Sequence, residues 1–404
     1  MLSETSRPII EATLPVVGEH IVEIARRFYG HMFAARPELL DGVFNRGNQA
    51  AGEQPVALAG SVAAYATYLL EHPGSSPEAM MARIAHKHAS LGIRPDQYPI
   101  VHEHLMWAIG DVLGDAVTAE VAAAWDEVYW LMANALINIE RGLYSARGAS
   151  PETVWRPWTV QRRIEESAEV VTFVLRRADH RLVRASLPGQ YVSAQVAMPD
   201  GTHQPRQYSL TAADDGEHRQ ITVKRVHGQD APDGEVSNLL CDDLVEGQEL
   251  TLSSPYGAIV LDDGGRPVVF ASAGVGITPM AGMLSHLARA GSTLPFVMLH
   301  ADSTPASVPL RWQIEHDVQV LPSAQLHYWY EEPPAEASAD PAARVHPGYL
   351  DLAHVDLPED ALYYLCGPMP FMQHVREQLL ARGVAPADIQ YEVFGPDIWQ
   401  ADVA

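Results

Sequence analysis

Cysteine is nearly absent from this chain. Only Cys241 and Cys366 occur among 404 residues, and they lie far apart in the sequence. Two distant cysteines do not make a disulfide framework or a site with four thiolate ligands, and a low cysteine content is typical of a reducing compartment. The sequence therefore predicts a cytoplasmic protein without a disulfide framework.

Basic residues are scarce relative to acidic ones. The chain has 27 lysines and arginines against 51 aspartates and glutamates, which gives a formal net charge of −24. Nucleic acids and anionic membranes bind proteins through a positive surface, so this balance argues against both as partners. A small anionic cofactor remains compatible with the composition, because a few local arginines and helix N-termini can bind its phosphates.

Long apolar runs are missing as well. No segment approaches the roughly 20 apolar residues that a membrane-spanning helix needs. The first residues also lack the basic start and continuous apolar core of a signal peptide. Hydrophobic residues nevertheless make up 47% of the chain, as in globular proteins. Because 404 residues are too many for one comfortable core, we expect two or three domains.

The first part of the chain has the apolar spacing of α-helices. The spacing occurs at residues 21–33, 56–70, 79–91, 100–114 and 121–144. Prolines fall between these segments or at their starts, where a missing N–H group costs little. Because no strand-like alternation interrupts the pattern, the sequence predicts an all-α domain over residues 1–147.

The remaining chain changes pattern twice. Short strand-like segments separated by turns occur at residues 170–176, 189–198, 206–213, 219–226 and 248–255. They predict a small antiparallel β-barrel over residues 148–263. From residue 264 to residue 404, buried-looking strands alternate with helical stretches, which predicts an α/β domain with a mostly parallel sheet.

A chemically distinctive segment lies on one predicted barrel strand, at Arg206-Gln207-Tyr208-Ser209. Alternation along a strand places the first and third of these side chains on one face and the other two on the opposite face. A flavin site needs a cation for phosphate, an aromatic plate for the ring and a small hydroxyl near the reactive nitrogen. The segment supplies all three, but taken alone it is equally compatible with an ordinary amphipathic strand.

Two later segments have glycine turns that precede predicted helices. In Gly234-Glu235-Val236-Ser237, the free N–H groups of the helix start can receive a pyrophosphate, or the segment can be a simple helix cap. The segment Gly274-Val275-Gly276-Ile277-Thr278-Pro279 follows a buried strand, a geometry suited to phosphate binding. This second segment lacks the third glycine of the usual dinucleotide fingerprint, so its spacing alone is weak evidence.

Two segments near the C-terminus complete the set of candidate cofactor residues. Cys366-Gly367-Pro368 ends a predicted strand, and Val393-Phe394-Gly395-Pro396 lies close to the end of the chain. By itself, Cys366 is equally compatible with an ordinary buried cysteine. These segments gain a functional interpretation only from the motifs that precede them.

Together these motifs resemble those of the ferredoxin–NADP reductase superfamily. The resemblance implies that Arg206 and Ser237 bind the phosphates of FAD. It also implies that Tyr208 packs on the isoalloxazine ring and that Ser209 hydrogen-bonds near its reactive nitrogen. Tyr191, in a preceding Pro-Gly-Gln-Tyr run, corresponds to another aromatic residue that contacts the flavin.

The same resemblance covers the α/β part. It implies that the G-x-G-x-T-P segment (274–279) binds NADH or NADPH, and that the Cys-Gly-Pro segment (366–368) lies at the nicotinamide. The terminal segment (393–396) would place Phe394 against the flavin. The resembling proteins often have cysteine where Val393 stands.

In the helical part, His88 lies on the apolar face of a predicted helix, in register with Met81, Ile84 and Leu91. A histidine at such a position is usually a core residue that bonds a carbonyl group, and the spacing leaves that interpretation open. No H-E-x-x-H zinc motif occurs.

The helical part as a whole resembles the globin domain of flavohaemoglobins in the order of its segments. The matching segments are FYGHMF, RPELLDGVFN, GEQPVALAGSVAAYA, IAHKHAS, PDQYPIVHEHL and INIERGLY. The resemblance implies that His88 is the proximal ligand of a haem b iron. It further implies that Tyr98 and Glu140 hydrogen-bond this imidazole and give it anionic character.

On the opposite side of the haem, the resemblance implies a polar pair, Tyr29 and Gln54, below an apolar wall formed by Leu58. Tyr29 would donate a hydrogen bond to bound oxygen. Pro55 directly after Gln54 departs from the family pattern and bears on where this helix begins and how far the glutamine reaches.

The resemblance thus implies a nitric oxide dioxygenase, in which electrons pass from NADH or NADPH through FAD to haem, and O2 oxidises nitric oxide to nitrate. Its partners would be these two small molecules, with no nucleic acid and no obligatory membrane, and a monomer is the working expectation. Two alternatives stay open. One is an FAD-dependent NAD(P)H reductase for a hydroperoxide, a quinone or an external acceptor, and the other is a haem-based sensor of O2 or nitric oxide.

Overall fold

The structure is a computed structural model that describes residues 1–44, 53–75, 77–228, 233–262, 264–332 and 343–395. Among these residues, no helix is both long and apolar enough to cross a membrane.

The N-terminal part is all-α, as the sequence predicts. Its described helices are α1 (Arg7–Glu19), α2 (Ile21–Ala35), α3 (Glu53–Glu71), α4 (Glu78–Leu91), α5 (Tyr98–Leu113) and α6 (Ala119–Arg147). Their apolar faces enclose one core, in which Phe28 and Trp125 are fully buried. Because a helix buries only one stripe of its surface, the helices must pack around a common centre.

Local signals explain where the functional helices end. Helix α4 stops at Gly92, which adopts a left-handed conformation (φ 74°). Helix α6 begins after Thr118, whose side chain accepts a hydrogen bond from the backbone N–H of Val121, and ends at the left-handed Gly148. These ends place His88 near the last turn of α4, beside the long helix that carries Glu140.

The second part is an antiparallel barrel, again as predicted. Its elements are β1 (Arg156–Ser167), β2 (Val170–Arg177), β3 (Tyr191–Ala197), β4 (His203–Ser209), β5 (His218–Lys224), α7 (Glu235–Asp243) and β6 (Glu249–Leu252). The strand order is β4-β3-β6-β1-β2-β5. A bridge between Leu210 and Ile221, just beyond β4, joins the two edge strands and closes the sheet. Closure pairs backbone groups that an open edge would leave exposed.

The third part is an α/β domain with a parallel sheet. Its elements are β7 (Val268–Ala273), α8 (Ile277–Ala290), β8 (Phe296–Asp302), α9 (Arg311–Val320), β9 (Ala324–Tyr330), β10 (Arg344–Pro347), β11 (Leu362–Cys366), α10 (Met369–Ala381) and β12 (Ile389–Glu392). The strand order is β10-β9-β8-β7-β11-β12. The order reverses between β7 and β11, and in sheets of this kind ligands bind outside the carboxyl ends of the strands at that point.

The helical part and the barrel share a small apolar core. It consists of Ala89 from α4, Tyr144 from α6, and Val154 and Tyr256 from the barrel side, all of them buried. Helix α4, which carries His88, is therefore both part of the globin-like core and the surface against which the barrel packs.

Candidate functional site

Three polar side chains meet at the end of α4. His88 Nδ1 lies 2.8 Å from Glu140 Oε1 and 3.0 Å from the Tyr98 hydroxyl. The Tyr98 hydroxyl donates to the same carboxylate oxygen at 2.5 Å. Glu140 is only 2% exposed, so its charge depends on these two donors for the hydrogen bonds that water would otherwise supply. The carboxylate therefore holds the Nδ1 proton and fixes the tautomer of His88.

Tyr98 is positioned from both ends. Its hydroxyl bonds Glu140, and its carbonyl oxygen accepts a hydrogen bond of 2.7 Å from the Tyr129 hydroxyl. Burial and the adjacent Glu140 charge raise the pKa of Tyr98 well above its ordinary value. Tyr98 thus stays a donor to the Glu140 carboxylate across the physiological pH range.

The arrangement fits a histidine that would hold a haem iron through its other ring nitrogen. The tautomer with the proton on Nδ1 leaves the lone pair of His88 on Nε2, and no described residue hydrogen-bonds that atom. The described residues also contain no cluster of three or more histidine, cysteine, aspartate or glutamate side chains able to hold a metal ion. The partner of Nδ1 is a carboxylate, not the backbone carbonyl that an ordinary core histidine would bond.

Tyr29 lies in α2 within a group of aromatic rings. Its ring centroid is 4.6 Å from that of Phe28, 5.5 Å from that of Phe33 and 5.9 Å from that of Phe44. Burial raises the pKa of Tyr29 above its ordinary value, so its hydroxyl remains protonated. Leu58, in α3, is half-buried against the same core.

Gln54 lies in the first turn of α3, which begins one residue earlier and includes Pro55. A proline is tolerated there because the N–H groups of the first turn have no partner within the helix. The side chain of Gln54 lies outside the described part of the chain, so its proposed role beside Tyr29 stays a prediction.

Strand β4 carries the predicted flavin segment. Its side chains alternate between the two faces of the sheet, as expected. Tyr208 packs against the barrel core. The Gln207 amide points to the other face and donates to Ser193 Oγ at 3.0 Å. Arg206 is half-buried and donates to the Pro205 carbonyl at 2.8 Å. Burial raises the pKa of Tyr208, so its hydroxyl is a neutral hydrogen-bonding group.

Tyr191 and Ser209 are partners in the register of β3 and β4. Ser209 is buried and Tyr191 half-buried. Burial, aided by the charge of Glu392, raises the pKa of Tyr191. An aromatic ring and a small hydroxyl are thus adjacent at the end of the strand pair, as a flavin ring requires.

Ser237 lies in the first turn of α7, which begins directly after Gly234. Its hydroxyl donates to the Gly234 carbonyl at 3.3 Å. The backbone N–H groups of a first helical turn have no partner within the helix, and they favour an anion. This turn therefore fits the pyrophosphate assigned to it from the sequence.

The predicted nucleotide segment forms a tight turn between β7 and α8. Gly274 has a positive φ of 53°, and Gly276 leads directly into α8 at Ile277. A Cβ atom on Gly276 would lie 2.4 Å from the Cys366 carbonyl oxygen, so only glycine permits this approach of the turn to β11. Thr278 donates to the carbonyl of Val275 at 2.9 Å, which fixes the first turn of the helix. Pro279 is buried in the same turn.

The turn and the Cys366-Gly367-Pro368 segment thus lie side by side at the switch point of the sheet. Burial, with Glu392 nearby, raises the pKa of the Cys366 thiol well above its ordinary value, so the residue is an uncharged group and not a thiolate. Pro368 precedes the first residue of α10. The geometry suits a nicotinamide nucleotide that crosses from one half of the sheet to the other.

The terminal segment lies against the helix that carries His88. Val393 is half-buried, Phe394 is 50% exposed, and the Gly395 carbonyl accepts a bond of 3.5 Å from Lys87 Nζ. Pro396 lies outside the described residues. Arg83 donates to the Tyr391 carbonyl at 3.1 Å, and its guanidinium lies 3.8 Å from the centroid of the Tyr391 ring.

Sequence reasoning did not identify these contacts of α4. A further contact of this helix is made by His86, whose Nδ1 accepts a hydrogen bond of 2.9 Å from the Gly257 N–H. Burial, with a smaller contribution from Arg147, lowers the pKa of His86 to about 4, which keeps this acceptor neutral. No local motif marks such residues, because each contact joins segments far apart in the sequence.

Comparisons with known proteins cover the whole chain. Residues 26–136 match the Globin family model, residues 157–261 the Oxidoreductase FAD-binding domain and residues 270–377 the Oxidoreductase NAD-binding domain. The chain is 41% identical to the flavohemoprotein of Rhizobium meliloti, over 99% of this chain and 100% of that protein. It is also 41% identical to the flavohemoprotein of Chromobacterium violaceum, over 98% of each.

Two solved structures are similar. A flavohemoglobin from Malassezia yamatoensis, with bound FAD and heme, has a TM-score of 0.88 and 37% identity, over 98% of this chain and 100% of that one. The FAD/NAD-binding domain of a nitric oxide dioxygenase from Vibrio cholerae O1 biovar El Tor has a TM-score of 0.55 and 36% identity, over 60% of this chain and 99% of that one. The three parts of the chain, helical, antiparallel and parallel, therefore follow one another as in this flavohemoglobin.

Proposed function

The chain belongs to the flavohemoprotein family, and we propose that it is a nitric oxide dioxygenase. It is an oxidoreductase whose cofactors are haem, FAD and a nicotinamide nucleotide. The proposed reaction oxidises nitric oxide with O2 to nitrate, with electrons from NADH or NADPH. The domain boundaries after residues 147 and 263, the cytoplasmic location and the monomeric state stay predictions.

The cofactors supply the electron and oxygen chemistry when bound: a hydride acceptor that releases single electrons, and an iron that activates O2. The protein contributes ligand basicity on the proximal side. Glu140 accepts the Nδ1 proton of His88, and a histidine with such a partner is a more electron-rich ligand. Tyr98 holds that carboxylate in place through its own hydrogen bond.

On the distal side, Tyr29 supplies a neutral donor in an apolar pocket. Its ring is held between other aromatic rings, and its raised pKa keeps the proton on the hydroxyl. A donor in water-excluded surroundings stabilises developing negative charge more strongly than one in water. We assign Tyr29 to the donor that would face the O2 substrate, with Gln54 and Leu58 as its neighbours.

The reductase part contributes two positioning elements. Ser209, beside Tyr191, presents a hydroxyl at the end of the strand pair β3–β4. The turn at residues 274–279 lies against the Cys-Gly-Pro segment at residues 366–368, which orients a nicotinamide nucleotide. We assign Arg206 and Ser237 to the FAD phosphates.

The observation that carries the proposal is the His88–Tyr98–Glu140 cluster in the same chain as an FAD- and NAD-binding module. The test measures nitric oxide, NADH and nitrate together in purified protein loaded with haem and FAD. Nitrate should form in proportion to nitric oxide consumed, with two molecules of nitric oxide per NADH, because NADH carries two electrons.

Other outcomes point to the alternatives. NADH oxidation that depends on a quinone or hydroperoxide, without consumption of nitric oxide, would favour the reductase interpretation. Binding of O2 or nitric oxide without any turnover would favour a sensor. Either result contradicts the proposed dioxygenase.

A further inference from the structure

A buried chain of hydrogen bonds crosses the contact between the globin domain and the flavin barrel. Gln207 Nε2, on β4, donates to Ser193 Oγ at 3.0 Å, and Ser193 Oγ, on β3, donates to Ser90 Oγ at 2.8 Å. Ser90 Oγ in turn donates to the Lys87 carbonyl at 2.8 Å within α4. Within this set each hydroxyl donates one bond and accepts one, and Ser90 also interacts with the Tyr191 hydroxyl.

Both serines are completely buried. A buried hydroxyl that loses its partner costs roughly 1–3 kcal/mol, so the chain of bonds is stable only in this relative placement of the two domains. The apolar side chains around it, Ala89, Val154 and Tyr256, tolerate small shifts because apolar contact is not directional. These hydrogen bonds therefore specify the relative placement of the two domains more narrowly than the apolar core does.

The two ends of this hydrogen-bond chain lie next to the proposed haem site and the proposed flavin site. Ser90 is two residues from His88, and Gln207 directly precedes Tyr208 and Ser209. From its place in the motif, Gln207 was expected among the flavin-binding residues. Its amide donates to Ser193, whose hydroxyl bonds Ser90 on the helix that carries His88.

We propose that Ser90, Ser193 and Gln207 are positioning residues. They set the separation between strand β4, which carries the proposed flavin residues, and helix α4, which carries His88. In this way they control the rate of electron transfer from FAD to haem. This inference rests on the proposed function, because it requires electrons to pass from FAD to haem. The distance between two sites controls electron transfer steeply, so a small change in docking has a large effect on this step and little effect on hydride transfer to FAD.

The test uses the full chain loaded with haem and FAD, in which NADH is mixed with the protein without oxygen. Flavin bleaching and haem reduction are followed separately. Ser90→Ala and Ser193→Ala should slow haem reduction measurably, because the separation of the two sites changes, and leave flavin reduction unchanged. A purely structural defect would lower cofactor content or slow both steps.

Thr172→Val is the matched control. Thr172 is also buried, and its hydroxyl bonds the Thr222 hydroxyl at 2.8 Å between β2 and β5. The substitution removes a buried hydroxyl-to-hydroxyl bond of the same length as that between Ser193 and Ser90, but within the barrel only. Both reduction rates should match those of the unmodified protein.

Two further measurements separate positioning from general damage. The double variant Ser90→Ala/Ser193→Ala should be no slower than either single variant, because one missing link already breaks the chain. Ser90→Thr, which keeps the hydroxyl, should restore much of the rate. Amide hydrogen exchange in segments 85–91 and 190–197 should be faster in both alanine variants than in Thr172→Val, a readout that does not depend on turnover.

Unchanged haem reduction in both alanine variants would overturn the inference, as would fully additive effects in the double variant. Haem that is never reduced in the unmodified protein would instead contradict the proposed function. The two failures are therefore distinguishable.

Discussion

The two sides of the proposed haem pocket are built differently. On the proximal side, His88 is held by hydrogen bonds to Tyr98 and Glu140. On the distal side, Tyr29 is held by ring packing, and its hydroxyl makes no hydrogen bond to another described residue. A fixed ligand on one side and an uncommitted donor on the other is the arrangement that an iron-bound small molecule requires.

The largest effect is expected from His88→Ala, which removes the proposed iron ligand. Haem should be lost, and with it the Soret absorption band, while FAD remains bound to the barrel. His102→Ala is the control. His102 lies in α5, its Nε2 is 2.7 Å from the Asp126 carboxylate of α6, and it has no assigned role. Normal haem content in His88→Ala would refute the proximal assignment.

Glu140→Gln should have the next largest effect. It keeps the shape of the acceptor and removes the charge that makes the His88 imidazole electron-rich. Changes at such supporting residues typically cost about 10- to 100-fold in activity, and the haem reduction potential should rise. A redox titration checks this, with the flavin potential as the internal control. Tyr98→Phe should shift the haem potential less, because the carboxylate remains, and equal potentials in all three proteins would show that the cluster has no electronic role.

Tyr29→Phe should have a smaller effect, confined to the bound gas. Loss of one hydrogen bond of about 1 kcal/mol predicts oxygen dissociation faster by roughly fivefold. Haem content and haem reduction by NADH should not change, since no proximal group is altered. Rapid mixing of the oxygenated protein with carbon monoxide measures the rate, and an unchanged rate would contradict the distal assignment.

The smallest effect is expected from pH. The hydroxyl of an ordinary tyrosine ionises at about pH 10. Burial raises the pKa of Tyr29, so its hydroxyl keeps the proton at that pH. Oxygen dissociation should therefore stay flat between about pH 7 and 10. A rise in the dissociation rate within that range would mean that the hydroxyl is open to water.

The same shifts have a consequence for stability. Buried Tyr29, Tyr98 and Tyr129 have raised pKa values, so the folded protein keeps protons that the unfolded chain releases. The folded state binds more protons above the unfolded pKa, and the free energy of unfolding should fall as pH rises beyond about 10. Thermal unfolding across this range checks the sign.

Most of the fold was predictable because its signals are local. Apolar spacing, glycine turns and prolines predicted the all-α part, the antiparallel barrel and the parallel sheet. The sequence patterns did not predict helix α1 or strand β1, and this too has a local cause. Helix α1 contains Pro15 within it, and strand β1 has consecutive exposed residues around Arg162 where its register with β2 shifts. Both features weaken the periodic pattern that sequence reasoning uses.

The sequence by itself determined which residues are the candidates for carrying the chemistry. A histidine on an apolar helix face, a glycine turn after a buried strand and an arginine-to-serine strand segment are each readable in order along the chain. The tertiary structure alone decided that Ser90 meets Ser193 and that His86 meets Gly257. Such contacts depend on how two finished surfaces dock, and residues more than 100 positions apart leave no periodic trace of one another in the sequence.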